Sequence, residues 1–206
     1  MISHSQTKFI SILNYFIFEE YFLFFAGLFL AVGEVCNMVG VVMAVPISRR
    51  IGKRSTFAVS CIGMAILSCF FFYLPCTNVG FVTMLLLQIL ISVCTGIISP
   101  LIWSMYADVA DYAAIKDNTS STGLIFSSGS MAQKFGGAIA GSAVLWLFAS
   151  FGLVPNALHQ TDSAILGMKL TMSYIPAAVA VIMVVIMVVY PLTKSKMKDI
   201  NAKLKD

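Results

Sequence analysis

The chain has 206 residues, of which 59% are hydrophobic and 11% charged, with a mean hydropathy of +0.93 and a formal net charge of +4. An ordinary soluble domain is about one-quarter charged, so the composition excludes a soluble globular protein and indicates an integral membrane one. The apolar residues gather in five blocks, Phe22–Ile47, Thr56–Leu74, Val79–Tyr106, Gly123–Ser150 and Gly167–Leu192. Each is roughly 20 to 28 residues long, the length a transmembrane helix needs. Lipid offers backbone groups no partners, so each is expected to be a helix within a single transmembrane domain covering residues 1–206.

Charge placement sets the expected topology. Arg49, Arg50, Lys53 and Arg54 follow the first block and Lys116 the third, and Lys194, Lys196, Lys198, Lys203 and Lys205 follow the fifth. The connections after the second and fourth blocks hold no lysine or arginine. The positive-inside rule then puts the ends of the first, third and fifth spans, and the C-terminus, in the cytoplasm.

Phe9–Phe18 is apolar but only half a span long, and Glu19 and Glu20 close it. It lacks the small-residue cleavage site of a signal peptide. Two readings are open: an interfacial helix, or the outer end of a helix whose inner half is missing. The first full span carries a buried charge candidate, Glu34, with Gly27, Asn37, Met38 and Val41 on roughly the same face. An isolated carboxylate in hydrocarbon takes up a proton, so Glu34 is a structural pair, a neutral acid, or part of a transport path. The turn from Ser48 to Arg54 reads as a topology anchor that can also gate by meeting acidic loops. The second span carries no charge and is expected to pack and to face lipid.

Along the third span Gln88, Ser92, Thr95, Ser99, Trp103 and Tyr106 fall within about 80° of one another on a helical wheel. Such a stripe lines a path or joins helices; hydroxyls, an amide and an aromatic face suit a hydroxyl-rich substrate such as a sugar. Pro100 removes a backbone donor there, so a kink or hinge is expected. Asp108 and Asp111 follow at the expected cytoplasmic end, where the helix macrodipole disfavours carboxylates unless cations meet them. The arginines of the Arg49–Arg54 turn are the expected partners, which makes these residues gate or assembly groups.

The fourth span carries Lys134 near its middle. Gly123, Ser127, Ser130, Gly137 and Gly141 share its face, while Leu124, Met131, Phe135 and Ile139 lie on the other side. A charge at that depth costs a few kcal/mol and faces protein or water. The glycines point to close approach by another backbone. Glu34 is a candidate partner. The last span has Lys169 at its edge and Pro176 about two turns in.

No chemistry of bond-breaking type can be assembled. Cysteines 36, 61, 69, 76 and 94 show no metal spacing, and His4 and His159 stand alone. Paired carboxylates, a Ser/His pair and metal ligands at membrane depth are all missing, so no enzyme, metal or cofactor is expected, and no nucleic-acid partner.

Several strings together resemble one family: Trp103 with Ala107–Tyr112 (ADVADY), Thr122–Ser128 (TGLIFSS), Ala132–Gly141 (AQKFGGAIAG), Phe151–Ala157 (FGLVPNA) and Tyr190–Leu192 (YPL). This pattern resembles the glycoside–pentoside–hexuronide:cation symporters of the major facilitator superfamily, from about Asn14 to Leu192. The resemblance implies an all-α integral membrane protein, the last five spans plus the end of a preceding one of a twelve-helix fold. It implies a sugar or glycoside carried with a cation, sodium or a proton, across the bacterial cytoplasmic membrane. Lys134 then matches a lysine close to the sugar and cation sites, and Ser130 a position at which relatives contact sugar. The family's cation-binding carboxylates belong to a six-helix N-terminal half, so the chain is expected to be inactive without that partner. Three positions depart from the family pattern: Ala114 with Thr119 and Ser120 in place of a charge pair, Glu34 in place of a small residue, and Ser99 in place of an aromatic. The alternative reading is a five-span accessory membrane protein whose polar faces bind partner helices.

Overall fold

The computed structural model describes residues 21–73, 78–117, 121–154, 161–192 and 194–203. The readings of Phe9–Phe18 fall outside them. Every element among the described residues is helical, as expected: α1 (Tyr21–Ile51), α2 (Lys53–Phe72), α3 (Asn78–Asp117), α4 (Thr122–Ser150), α5 (Asp162–Met172), α6 (Tyr174–Val189) and α7 (Lys194–Lys203). Four stretches are long and apolar enough to cross a membrane: Gly27–Ile51, Lys53–Phe72, Val82–Lys116, and Asp162–Val189 taken through α5 and α6. Helix α4, at 29 residues, is long enough. Every 18-residue window of it contains both Gln133 and Lys134, which keeps it outside that set.

Helix α1 lies along the first half of α3, and glycines permit the approach. A Cβ at Gly96 would fall on the backbone of Asn37, and one at Gly40 on the Val93 carbonyl and the Gly96 Cα. Higher up, a Cβ at Gly33 would lie 3.3 Å from Ser92 Oγ. Small residues at this spacing let two backbones pass with almost no side chain between them. The opposite face of α1 presents Leu30, Val35, Met38 and Val42 outward, an apolar surface of the kind a bilayer covers.

Helix α2 packs as expected and is the hub of the bundle, with Val59, Ile62, Ile66 and Phe70 left exposed on its other face. It packs on α3, α6, α5 and α1. Phe57 and Cys61 join Ala44, Ile97, Ile98, Leu101 and Met105 in the main core, against Met183, Val184 and Met187 of α6. Ala65 meets Ala177 and Ala180 in a second cluster. Thr56, Ser60 and Ser68 are buried too. Thr56 answers its own hydroxyl by donating to the Gly52 carbonyl at 2.8 Å, so a small polar side chain costs little there. Gly52 separates α1 from α2 with φ 91°, a left-handed value that only glycine adopts without strain.

Pro176 divides the last expected span. It lacks an N–H, so the helix cannot continue unaltered through it. Ser173 stands between α5 and α6 at φ −116°, ψ −75°. Its hydroxyl donates to the Lys169 carbonyl at 2.6 Å and its N–H to the same oxygen at 3.0 Å. By contrast α1 and α3 run as helix through Pro46 and Pro100.

Helix α4 is held near its two ends. Tyr106 of α3 covers Gly129, and Phe151, just after α4, covers Gly167 of α5. Residues 131–143 between them are all exposed. A Cβ at Gly123, Gly136, Gly137 or Gly141 would meet nothing within 4 Å.

These contacts separate two kinds of glycine. Gly96→Ala is expected to lower stability by about 1–3 kcal/mol, because the backbone of α1 must move. Gly137→Ala should stay within about 0.5 kcal/mol. Loss of helicity in a denaturing-detergent titration of the purified chain measures both; equal effects would show that the α1–α3 approach is loose.

Candidate functional site

The polar stripe of α3 is divided by its neighbours. Its first half faces α1: Gln88 Nε2 donates to Ser92 Oγ at 3.5 Å, both beside Gly33, and Ser92 is buried. Thr95 turns its hydroxyl to the Ile91 carbonyl at 2.9 Å, with Met64 Sδ of α2 at 3.9 Å. Gln88 thus meets α1 and the exposed Thr95 lies beside α2, and neither lines the α3–α4 cavity. The second half faces α4, where Ser99, Ile102, Trp103 and Tyr106 enclose a cavity of about 290 Å³ with Gly129, Ala132 and Gln133. The two halves meet different neighbours: α1 packs through Gly33 and Gly40 on the Gln88–Gly96 stretch, and α4 meets Tyr106 at Gly129.

Aromatic rings close one end of this cavity. Trp103 and Phe126 stack with ring centroids 6.2 Å apart and planes 11° from parallel. Tyr106 meets both edge-on, at 5.8 Å from Trp103 and 6.3 Å from Phe126. Such parallel and T-shaped pairs are the favoured arrangements of ring quadrupoles. Ser99 and Gln133 are the polar side chains that reach the cavity with Tyr106 and the indole.

Gln133, not Lys134, lines the cavity, because one residue along a helix turns the side chain by about 100°. Lys134 is exposed in the free middle of α4. Ser130 is partly buried and donates to the Phe126 carbonyl at 2.9 Å. Glu34 is exposed on α1, and it and Lys134 form no ion pair, which corrects the expected buried partnership. Helix α1 turns its glycine face to α3, leaving Glu34 off that interface, while α4 is attached to α3 and α5.

A second constellation lies at the basic end of the bundle. Lys53 Nζ donates to Asp108 Oδ1 at 2.6 Å and to the Ser104 carbonyl at 3.3 Å. It is the one ion pair among the described residues, with side-chain exposures of 36% for Lys53 and 12% for Asp108. The expected partners were arginines; the observed one is the lysine of the same turn. Arg54 instead donates to the Val188 carbonyl at 2.7 Å, and Lys194 to the Arg49 and Arg50 carbonyls at 2.8 and 2.9 Å. Both satisfy last-turn carbonyls that have no partner within their own helices. Arg49 and Arg50 keep their own side chains exposed. Asp111 is half-buried and has no ion pair among the described residues. The macrodipole expectation fails at Asp108, since α3 continues to Asp117 and the effect falls off beyond the last turn. Lys116 occupies that turn, 5.9 Å from the ring centroid of Tyr112. Tyr190 Oη, packed against the main core, is a buried hydroxyl with no hydrogen-bond partner among the described residues.

Sequence reasoning did not single out Lys53, Phe126 and Gln133. Phe126 and Gln133 lie inside strings quoted for the family resemblance, but only contact geometry gives them a place.

Long apolar helices of this kind define a multi-pass membrane protein. The chain matches the MFS/sugar transport protein family over residues 10–194, and it belongs to that family. This agrees with the glycoside–pentoside–hexuronide resemblance, and the family is one of transporters rather than enzymes. It is 29% identical over 192 residues to a glucuronide carrier protein homolog of Escherichia coli, covering 91% of this chain and 41% of the relative. It is 24% identical over 176 residues to a putative glycoside/cation symporter of the same organism, covering 85% and 38%. A putative 2,3-dihydroxypropane-1-sulfonate exporter, also of Escherichia coli, matches at 24% identity over 74% of this chain and 32% of its own length. The chain thus spans about two-fifths of the length of the first two relatives.

Opening the ion pair should be costly in a way that removing a surface arginine is not. Asp108→Asn is expected to destabilise the chain by about 1.5–3 kcal/mol, since a charge-assisted hydrogen bond is lost and Lys53 is left half-buried. Arg49→Gln should change stability by less than about 0.5 kcal/mol. A double-mutant cycle with Lys53→Met in the detergent titration isolates the coupling, and additive effects would show that the pair contributes nothing.

Proposed function

We propose that this chain is the C-terminal part of a secondary active transporter that moves a sugar or glycoside together with a cation, sodium or a proton, across the cytoplasmic membrane. The observation that carries the substrate class is the α3–α4 cavity, where an indole, a phenol, a hydroxyl and an amide converge from Trp103, Tyr106, Ser99 and Gln133. An aromatic face accepts the C–H face of a sugar ring, and the amide and hydroxyl serve its hydroxyls. At about 290 Å³ the cavity is at the lower end of small-ligand sites. Trp103 and Ser99 are the substrate groups in this reading, with Ser130 a turn away. The similarity to a glucuronide carrier homolog and to a putative glycoside/cation symporter supports the same class.

Lys134 is the coupling or substrate-charge group. It stands on the open glycine face of α4, which a six-helix N-terminal half would cover. A charge in this position requires a cavity or a protein partner inside a membrane. We take α4 as the fourth of five spans despite Gln133 and Lys134, with the basic end and the C-terminus in the cytoplasm. The Lys53–Asp108 pair then closes the cytoplasmic side, and Asp111 with Arg49, Arg50 and Arg54 surrounds it.

Cysteine accessibility tests the cavity. In a chain freed of its five native cysteines, Ser99→Cys should react with a water-soluble thiol reagent at least about ten times faster than Ser92→Cys, which the α1 contact occludes. A glycoside should slow the reaction at position 99. Labelling at position 92 alone, or at neither site, would remove the cavity reading and favour a packing role for the stripe.

A further inference from the structure

Trp103 is 38% exposed, yet its ring is constrained on two sides. Phe126 lies parallel to it at 6.2 Å and Tyr106 meets it edge-on at 5.8 Å. Phe126 takes no part in lining the cavity, whereas Trp103 and Tyr106 do. The phenyl ring therefore lies parallel to the indole in an offset stack and outside the cavity lining. Gly129 supplies the clearance: a Cβ there would run into the Tyr106 ring, which would be driven from its edge contacts with both other rings.

We infer that Phe126, with Tyr106 seated over Gly129, is a backing that fixes the Trp103 indole so that one face only is offered to the apolar C–H face of a single sugar ring. The inference rests on the sugar reading above and adds a positioning residue to it. An indole free to rotate about its two side-chain torsions must be ordered at each binding event, and that entropy opposes binding. A flat ring behind it orders it beforehand. A branched aliphatic side chain of similar bulk fills the space without imposing a plane, so the proposal separates shape from volume. Tyr106 cannot act alone, because an edge contact leaves the indole face free to tilt.

The chain contains two tryptophans, so Trp146→Phe, on the exposed face of α4, leaves Trp103 as the single emitter. The full chain in lipid nanodiscs is the sample, and the cavity lies wholly within it. Phe126→Tyr should keep the Trp103 anisotropy and acrylamide quenching of the parent. Phe126→Leu should lower the anisotropy and raise the quenching constant about two-fold, with unchanged helicity. If Phe126→Leu does not fold, Phe126→Met carries the same expectation.

Quenching by p-nitrophenyl β-glucoside, with p-nitrophenol as control, reads the sugar contact. The concentration for half-quenching should rise about three- to ten-fold in Phe126→Leu and stay unchanged in Phe126→Tyr. Equal anisotropy and equal half-quenching in all variants would overturn the backing while leaving the sugar reading intact. A change in anisotropy without glucoside-specific quenching in any variant would overturn the platform and count against the sugar reading itself.

Discussion

The backbone crossing of α1 and α3 at Gly40 and Gly96 is the constraint on which the rest depends. Within a bilayer, water expulsion does not drive helices together, so association relies on close packing. Here the packing is backbone against backbone, with the Asn37 and Val93 carbonyls in the places that side chains would otherwise occupy. Once α1 is seated this closely, it occludes Gln88 and Ser92 and leaves Ser99, Trp103 and Tyr106 to α4. The crossing thus decides which part of a uniform polar stripe is structure and which part is cavity.

At the basic end, charge and helix ends are handled by separate side chains. Lys53 neutralises Asp108, while Arg54 and Lys194 attend to the final carbonyls of α6 and α1. An ammonium is a compact charge that can reach a carboxylate and the Ser104 carbonyl together at a tight turn. The longer, planar guanidinium of Arg54 spans to Val188 on another helix. Gly52 makes both possible, since its left-handed backbone starts α2 immediately after α1 and lies against the Lys194 side chain.

Much of this was legible in the chain itself. The apolar blocks pointed to an all-helical chain, though the third stopped eleven residues short of Asp117, and the Trp103–Ala107–Tyr112 and Ala132–Gly141 strings pointed to the family. Trp103 and Ser99 reach a cavity that the helical wheel could only place on a face. The wheel could not show that Gln88 and Ser92 meet α1 while Ser99, Trp103 and Tyr106 meet α4, because it carries no information on neighbours. Hydropathy hid the role of α2: its buried Thr56, Ser60 and Ser68 read as mild polarity, whereas their small size is what admits α3 and α6. Lys53 was overshadowed by three arginines around it, and only distance distinguishes a carboxylate partner from a carbonyl cap. The Ser173 break was signalled by Pro176, but Pro100 and Pro46 gave the same signal in helices that continue.

Helix α4 has one attachment near each end and no cover between them. A rod supported in this way bends most at its middle, and displacement there disturbs the fewest packed atoms. Lys134 sits in that compliant middle, flanked by Gly136 and Gly137, whose missing side chains add to the compliance. This charge, with no ion-pair partner among the described residues, is therefore carried on the part of the bundle that can shift furthest while both anchorages, Tyr106 over Gly129 and Phe151 over Gly167, stay in place.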